Sequence, residues 1–493
     1  MNCKSGSAFR QKYVKSGSAF RQKYVKSGSA FRQTVDFLPN ICYILYVSEV
    51  DTMKRKFYDE LLAWKNNNLH IPLMVIGASQ VGKTFIIKKF CTKNFKNFYT
   101  VNLMREKNFI DLFASRDTFE KKVETLEVML GGSIRNNDDT ILFVDEVQES
   151  EEFIEALKFF NESKDNYNII CAGSLLGVAL KRLSSSFPVG KVILKNMYPL
   201  DFEEFLWATN NENSIEIIKK AFKNNEPINE TLHSELMDLF NKYLYLGGMP
   251  DVVSNFINCN MNLALIDNSI IKLIINGYYN DMSKYAEDKD TIRIRNLFNN
   301  IPSQLAKENQ KFIFTSVDVK DNRKRDYITP LDWLIASNLT FKCSLVTKPE
   351  FPLMGFIDKE TFKLYLADTG IVNSLLGITP AAYLLNKPFS YKGVIVENYV
   401  ANELTKMDYN LFYWSRKGKN NGNAEIDFLI QNNMDIIPIE VKAGNNTQAK
   451  SLKLYDKMYN PKISLRISAN NFCLNGNVKD IPLYALFCLK DLL

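Results

Sequence analysis

Eight consecutive residues of this chain have the composition and spacing of a phosphate-binding loop. They fit the pattern G-x-x-x-x-G-K-[ST] and lie between the apolar run 73–76 and a helical stretch. Such a loop wraps its backbone N–H groups around phosphate oxygens at a helix N-terminus, where the helix dipole favours anions. Lys83 is predicted to reach the β- and γ-phosphates, and the Thr84 hydroxyl to bind Mg²⁺. The predicted nucleotide-binding residues are Gly77, Ala78, Ser79, Gln80, Val81, Gly82, Lys83 and Thr84.

Two acidic residues end a second apolar run, 141–144. Ligands of open α/β sheets bind at the carboxyl ends of strands, so Asp145 and Glu146 are expected at the same edge as the loop. Asp145 is predicted to bind Mg²⁺ through water, and Glu146 to polarise the attacking water as general base. Gln148 can help to position that water. Both motifs occur in order and in the right local context, so the sequence predicts an Mg²⁺-dependent ATPase.

A polar residue also ends the next apolar run, 169–173. Ser174 is predicted to contact the γ-phosphate, although it can equally cap the helical stretch that follows. An arginine finger would come from farther along the chain. Arg182 and Lys191 are both candidates, and the sequence does not choose between them.

Acids and a lysine near the C-terminus form a second candidate site. Glu440 and Lys442 are two residues apart on a predicted strand, so they face the same side. Asp427 and Glu440 can hold a hard cation through carboxylate oxygens, and Glu397 would be a further ligand or orient the site. Lys442 would orient water or stabilise charge developing on a phosphate. The alternative is a set of charged residues on strands near a sheet edge, without catalytic function.

Composition limits the class of protein. The chain has 493 residues, with 46% hydrophobic and 24% charged, enough for two to four domains with apolar cores. Eight scattered cysteines and two histidines argue against a disulfide framework and a zinc site, and favour a reducing cytoplasm. The net charge of +7 gives no hint of partners, because the basic excess is concentrated in residues 1–35. No apolar run is long enough for a membrane helix, so a cytoplasmic location is expected.

The order of segments predicts an α/β protein. Residues 1–52 contain three copies of a Ser/Gly-rich basic repeat and are expected to be a disordered leader outside the fold. Residues 53–210 alternate strands and helices, which predicts a parallel-sheet ATPase domain. Residues 211–290 are expected to be helical and to complete that module. Residues 291–350 are winged-helix-like, and 361–493 return to mixed α/β. Arg323, Lys324 and Arg325 in the middle segment can contact phosphates or form an ordinary solvated turn.

The motifs together resemble a family of prokaryotic AAA-like P-loop ATPases with a C-terminal PD-(D/E)xK nuclease-like domain. The resemblance spans about residues 53–460 and implies a restriction-endonuclease-like C-terminal fold. In such families D-(x)n-E-x-K marks metal-dependent phosphodiester cleavage, and this chain keeps Asp427, Glu440 and Lys442. The matching stretches are GASQVGKT (77–84), LFVDEVQ (142–148), GSLLGV (173–178), SFPVGKV (186–192), YPLDFEEFL (198–206), LGGMPDVV (246–253), IPSQLAKENQKF (301–312), YLADTGI (365–371), GVIVENYVANEL (393–404) and AEIDFLI with PIEVKAG (424–444).

The leading functional hypothesis is an ATP-hydrolysing protein that couples its nucleotide state to a nuclease-like domain acting on DNA. ATP and Mg²⁺ are the expected cofactors, DNA a further partner, and a homo-oligomer a further expectation. The alternative is a nucleotide-gated binding or regulatory module whose nuclease-like domain is inactive. A third hypothesis, an AAA-type remodeller of proteins, finds no substrate loops in the sequence.

Overall fold

The computed structural model describes residues 53–67, 69–182, 188, 190–284, 286, 288–307, 311–318, 323–384, 391–416, 424–444 and 450–491. For residues 181, 182, 288 and 491 it describes the backbone only. The N-terminal repeat and the leader expected at 1–52 lie outside the described residues, so that expectation stays a prediction. Residues 52–493 form one compact unit. No helix among the described residues combines the length and the apolarity that a membrane span requires.

An all-parallel sheet lies at the centre of the first half, in the order β2-β3-β4-β1-β5. The apolar runs 73–76, 141–144 and 169–173 form three of its strands, with ends that agree to within one residue. The described strands of this sheet are β1 (Leu73–Ile76), β2 (Asn97–Asn102), β3 (Thr140–Asp145), β4 (Ile169–Gly173) and β5 (Ile193–Asn196).

Helices cover both faces of this sheet, because its three central strands, β1, β3 and β4, are apolar on both sides. Leu73 and Val75 of β1 pack into one core, whereas Met74 and Ile76 pack into the other. This alternation follows from the two-residue period of a strand and confirms the predicted parallel-sheet architecture. The helices are α1 (Phe57–Asn66), α2 (Lys83–Asn94), α3 (Lys107–Ala114), α4 (Phe119–Leu130), α5 (Glu151–Glu162) and α6 (Leu176–Arg182).

A run of helices follows the sheet. The break at Gly247 and Gly248 ends one long helix, and the next begins with Pro250 in its first turn, where the missing N–H costs nothing. The helices are α7 (Phe202–Ala208), α8 (Glu212–Asn224), α9 (Glu230–Leu246), α10 (Pro250–Asn258), α11 (Ser269–Lys284), α12 (Asp288–Leu305) and α13 (Ile328–Ala336).

The last part of the chain is built on a mixed sheet in the order β12-β13-β11-β10-β9-β8-β6-β7. A helix over residues 392–406 packs against this sheet. The strands are β6 (Thr340–Val346), β7 (Ile357–Leu366), β8 (Phe412–Arg416), β9 (Ala424–Asn432), β10 (Asp435–Val441), β11 (Ser464–Ser468), β12 (Cys473–Asn475) and β13 (Val478–Pro482). The helices are α14 (Thr369–Leu375), α15 (Pro380–Leu384), α16 (Lys392–Lys406) and α17 (Lys450–Tyr459), and a 3₁₀ turn covers Leu483–Asp491.

The C-terminal sheet begins earlier than the predicted domain limits suggest. β6 was expected to close the winged-helix-like segment 291–350, but it pairs with β7 on one side and with β8 on the other. Its paired residues are 11 to 26 positions away in β7 and 68 positions away in β8, and local sequence patterns do not identify such pairing. The strand therefore belongs to the C-terminal sheet, and the winged-helix-like character of the middle segment stays a prediction.

Candidate functional site

The phosphate-binding loop follows β1 and leads directly into α2. Gly77 is needed because a Cβ atom there would lie 2.3 Å from the carbonyl oxygen of Met197. Gly82 has a φ of 95°, a conformation that glycine adopts without steric cost. The structure thus explains why glycine is required at both positions of the motif. It also places the loop at the N-terminus of a helix, as predicted.

The side chain of Lys83 is folded back onto the loop. Its ammonium group donates hydrogen bonds to the carbonyl oxygens of Gly77 at 2.7 Å and Ala78 at 2.8 Å. Burial lowers the pKa of Lys83 to about 8, although the nearby carboxylates of Glu146 and Asp145 oppose this shift. The loop backbone therefore holds the lysine in place and leaves its charge available for a phosphate.

Asp145 and Glu146 lie at the carboxyl end of β3, facing the loop. The Thr84 hydroxyl donates to the carboxylate of Asp145 at 3.0 Å, so the two predicted Mg²⁺-binding oxygens are adjacent. Hydroxyl and carboxylate oxygens are the ligands that Mg²⁺ prefers, and this pair fits an ion shared with a nucleotide phosphate. Mg²⁺ bound there would neutralise phosphate charge during hydrolysis.

The backbone of Glu146 is in the left-handed region, with a φ of 54°. Its carboxylate accepts a hydrogen bond from the side-chain amide of Gln148 at 2.6 Å. Burial raises the pKa of Glu146, and the charge of Asp145 adds to that shift. A raised pKa suits a general base, because it increases the affinity of the carboxylate for a proton taken from water. Gln148 orients this carboxylate. The Oε1 atom of Gln148 has room only because residue 173 is a glycine.

Ser174 lies between the two motifs because its strand, β4, is the neighbour of both β1 and β3. This places it at the same sheet edge as the loop and the acids, and its role towards the γ-phosphate stays a prediction. Neither candidate arginine finger is settled. The side chain of Arg182 lies outside the described residues, and the ammonium of Lys191 pairs with Glu162 at 3.1 Å.

Sequence reasoning missed two elements that hold the phosphate-binding loop. The buried guanidinium of Arg55 donates to the Val81 carbonyl at 2.9 Å and to the Glu204 carboxylate at 3.1 Å. From the other side, helix α11 contacts Ser79 through two residues. The Tyr278 hydroxyl donates to the Ser79 carbonyl at 3.2 Å, and the Ser79 hydroxyl donates to the Asp281 carboxylate at 2.7 Å. In each of these contacts the two residues are more than 25 positions apart along the chain, and no local sequence pattern predicts such contacts.

The second candidate site lies on one face of the C-terminal sheet. Asp427 on β9 accepts a hydrogen bond from the backbone N–H of Val441 at 2.7 Å, next to Glu440 on β10. Lys442 pairs with Glu440 at 2.6 Å. Burial raises the pKa of Asp427 well above its usual range, and the neighbouring Glu440 and Glu397 raise it further. The structure thus brings Asp427, Glu440 and Lys442 together.

Glu397 on α16 faces partners that the sequence did not suggest. Its carboxylate accepts from the ammonium of Lys363 at 3.0 Å and from the Tyr365 hydroxyl at 2.6 Å. Lys363 is fully buried and also pairs with Glu425 at 2.7 Å. Burial would lower the pKa of Lys363, yet the carboxylates of Glu397 and Glu425 raise it. The positive charge next to Glu397 is therefore supplied by the chain itself.

The three carboxylates of the predicted metal site, Asp427, Glu440 and Glu397, do not converge on one point among the described residues, and their role as metal ligands stays a prediction. In the part of the chain that the structure describes, no three His, Cys, Asp or Glu side chains are grouped to hold a metal ion. Glu397 is directed to Lys363 instead. The Oε2 atom of Glu440 is buried and has no hydrogen-bond partner within the described structure, so an acceptor remains for a cation or a donor.

The basic triplet in the middle segment is paired with acids. Arg323 and Arg325 lie 3.3 and 3.5 Å from the carboxylate of Asp326, and Lys324 contacts Glu360. All three basic side chains are exposed. Their contact with DNA phosphates stays a prediction.

Three family models match the chain. Residues 70–206 match an AAA domain, residues 237–382 match one domain of unknown function (DUF8612), and residues 392–486 match another (DUF4143). The AAA match covers both ATP motifs and the parallel sheet. This chain therefore carries an AAA-like P-loop ATPase domain, which confirms that part of the resemblance. The nuclease-like character of the C-terminal domain stays a prediction.

Solved structures of low similarity also match. They include a Walker-type ATPase of Pyrococcus abyssi (16% identity, TM-score 0.41, covering 66% of this chain and 97% of the other). The Aeropyrum pernix ORC2 protein has 12% identity and a TM-score of 0.35, over 67% and 94% of the two chains. The Thermotoga maritima RuvB Holliday junction branch migration motor has 12% identity and a TM-score of 0.26, over 58% and 89%. TM-scores this low do not establish a common overall fold. No curated protein matches.

Proposed function

We propose that this protein binds and hydrolyses ATP with Mg²⁺ and couples its nucleotide state to a C-terminal domain that acts on DNA. The observation that carries the ATP part is the arrangement of Lys83, Thr84, Asp145 and Glu146 around one sheet edge. Lys83 would bind the β- and γ-phosphates, and Glu146 would take a proton from the attacking water. The Thr84 and Asp145 oxygens would hold the ion.

Two sets of contacts support coupling between the halves. Arg55 joins the phosphate-binding loop to Glu204, which forms a capping box with Asp201 at the start of α7. The residue before that box, Leu200, accepts a hydrogen bond from Lys406 of α16 at 3.2 Å. Helix α16 also carries Glu397, so one rigid helix extends from the surroundings of the ATP site to the second candidate site.

The other set of contacts runs through α11. Its Tyr278 hydroxyl reaches the loop at Ser79 and lies 3.9 Å from the sulfur of Met249. The neighbouring Gly248 donates its N–H to the carboxylate of Asp368 at 2.6 Å, and Asp368 caps α14 directly after β7. Strand β7 in turn carries Lys363. A movement of the loop would therefore reach the C-terminal sheet through packed neighbours.

Asp427, Glu440 and Lys442 would carry the action on DNA. Lys442 is half-buried and close to the two carboxylates, where it would stabilise negative charge on a phosphate oxygen. Burial would lower the pKa of Lys442, but Glu440 raises it, so this group stays charged. Because the three carboxylates do not converge on one point among the described residues, we assign no step to a metal ion at this site.

A second candidate function is a nucleotide-gated binding module without cleavage. The buried Lys363 favours it, because its ammonium already neutralises Glu397 and Glu425. In this case the C-terminal domain would recruit a partner, and the ATP half would control access to it. A homo-oligomer remains an expectation for either function.

One experiment separates these functions. Purified protein is incubated with supercoiled plasmid and linear DNA in Mg²⁺ or Mn²⁺, with and without ATP, beside the variants Asp427→Asn and Asp435→Asn. Asp435 is a matched control, since it lies on β10 and pairs with Lys462 at 2.8 Å, away from the proposed site. Cleavage that is lost only in Asp427→Asn supports the proposal. ATP hydrolysis without cleavage under any condition supports the binding module instead.

A further inference from the structure

Helix α11 brings a negative charge to the phosphate-binding loop. The carboxylate of Asp281 accepts a hydrogen bond from the Ser79 hydroxyl at 2.7 Å. The helix is held there closely, because a Cβ atom at Gly277 would lie 2.9 Å from the side-chain amide of Gln80. Beyond Asp281, Lys284 pairs with Glu149 at 2.9 Å and fixes the end of the helix beside the second motif. These contacts hold Asp281 in a fixed position beside the phosphate-binding loop.

This position is unusual for an acid, because the loop has to bind anions. The carboxylate of Asp281 is close enough to influence both Lys83 and Glu146. Burial lowers the pKa of Lys83, and the charge of Asp281 opposes that shift. Burial raises the pKa of Glu146, and the charge of Asp281 adds to that shift. Burial raises the pKa of Asp281 itself, although the hydrogen bond from Ser79 opposes this shift.

Lys83 and Glu146 bracket the place of the γ-phosphate, since the lysine binds the β- and γ-phosphates and the glutamate faces the attacking water. Asp281 is hydrogen-bonded to Ser79 of the loop that wraps the phosphates, so its carboxylate lies on the phosphate side of the site. The γ-phosphate is also the group that distinguishes ATP from ADP. Like charges at short range in a partly buried site repel each other with little screening.

We propose that Asp281 is a specificity-determining residue that lowers the affinity of the site for ATP relative to ADP. The inference rests on the proposed ATP-binding function. The Asp281 carboxylate repels the additional negative charge of the γ-phosphate. ATP binding therefore displaces α11 from Ser79, whereas ADP binding leaves this contact in place. The same helix then reports which nucleotide is bound, through Tyr278 and its neighbours.

The test compares the affinities of a non-hydrolysable imido analogue of ATP and of ADP, with Mg²⁺, by calorimetry on the full chain. Asp281→Asn keeps the size of the side chain and an oxygen acceptor for Ser79 but removes the charge. We expect this variant to tighten analogue binding by roughly tenfold and to change ADP binding by less than about twofold. Asp281→Glu keeps the charge and should keep the wild-type ratio.

Two comparisons make the result specific. Glu216→Gln makes the same change in net charge at an exposed position of α8 and should alter neither affinity. An unchanged ratio in Asp281→Asn, or weaker analogue binding, overturns the inference and leaves Asp281 as a structural partner of the loop. Failure of the wild-type protein to bind either nucleotide contradicts the proposed function itself. A melting temperature for each variant shows whether it is folded.

Discussion

The Thr84 hydroxyl donates a hydrogen bond to the carboxylate of Asp145, with 3.0 Å between the two oxygens. The two residues belong to different motifs, 61 positions apart, and each is expected to contribute an oxygen to Mg²⁺. Since the parallel pairing of β1, β4 and β3 fixes both strand ends, the fold itself brings these oxygens together. The ATP site is therefore organised by the sheet.

Glu403 makes the stability of the fold depend on pH. It is buried on α16, next to Lys406 at 2.9 Å and near Asp201, and burial raises its pKa to about 7. In the unfolded chain this carboxyl titrates at about 4.3, so between the two values the folded state binds more protons. The contribution of Glu403 to stability is therefore greatest below about pH 4 and is lost as the pH rises through about 7.

The variant Glu403→Gln removes this titration. We expect its melting temperature to rise relative to wild type as the pH increases from about 5 to about 8, measured by differential scanning calorimetry. Glu216→Gln, at an exposed site, should show a constant difference over the same range. A constant difference for Glu403→Gln as well would exclude a pKa shift at this residue.

Gly370 sits where α14 meets the end of α9. A Cβ atom at this position would lie 2.1 Å from the carbonyl oxygen of Leu246, a backbone atom that cannot easily move. We expect Gly370→Ala to reduce the free energy of unfolding by roughly 1–3 kcal/mol, as measured by urea denaturation. Gly393→Ala is the matched control, because it also lies early in a helix but has nothing within 4 Å of its added carbon. Equal free energies of unfolding for Gly370→Ala and Gly393→Ala would contradict the close packing of α14 against the end of α9.

The buried pair of Lys363 and Glu397 should behave as a coupled unit. Lys363→Met removes the ammonium from two carboxylates and should cost roughly 3–5 kcal/mol, whereas Glu397→Gln leaves Lys363 paired with Glu425 and should cost less. The double variant should cost clearly less than the sum, because the ammonium and the Glu397 carboxylate are then removed together. A double-mutant cycle by chemical denaturation measures this difference. Additive losses would show that the ammonium does not neutralise this carboxylate.

The sequence predicted the P-loop ATPase domain, because both motifs are local and lie next to strongly apolar strands. The apolar runs that form the central strands of the first sheet were also recognisable from their local patterns. Lys363 was missed since it alternates with apolar residues on β7, a pattern typical of a strand with one solvated face. In the structure this lysine is fully buried, facing acids from α16 and β9.

Asp281 and Arg55 were missed for a related reason. Each lies on or beside a helix with ordinary polar positions, and their contacts with the loop depend on how separate helices pack. The early start of the C-terminal sheet, at β6, also depends on pairing between distant strands. Long-range packing of this kind leaves no periodic signal in a single sequence.

The central claim is that Glu146 activates water in an ATP-hydrolysing site, and steady-state ATP turnover by Glu146→Gln tests it most directly. The account predicts that this variant binds ATP with an affinity similar to wild type, while turnover falls by roughly two to four orders of magnitude, because general-base catalysis is lost. Lys83→Ala serves as the reference that should lose tight nucleotide binding. Wild-type turnover by folded Glu146→Gln would contradict the account.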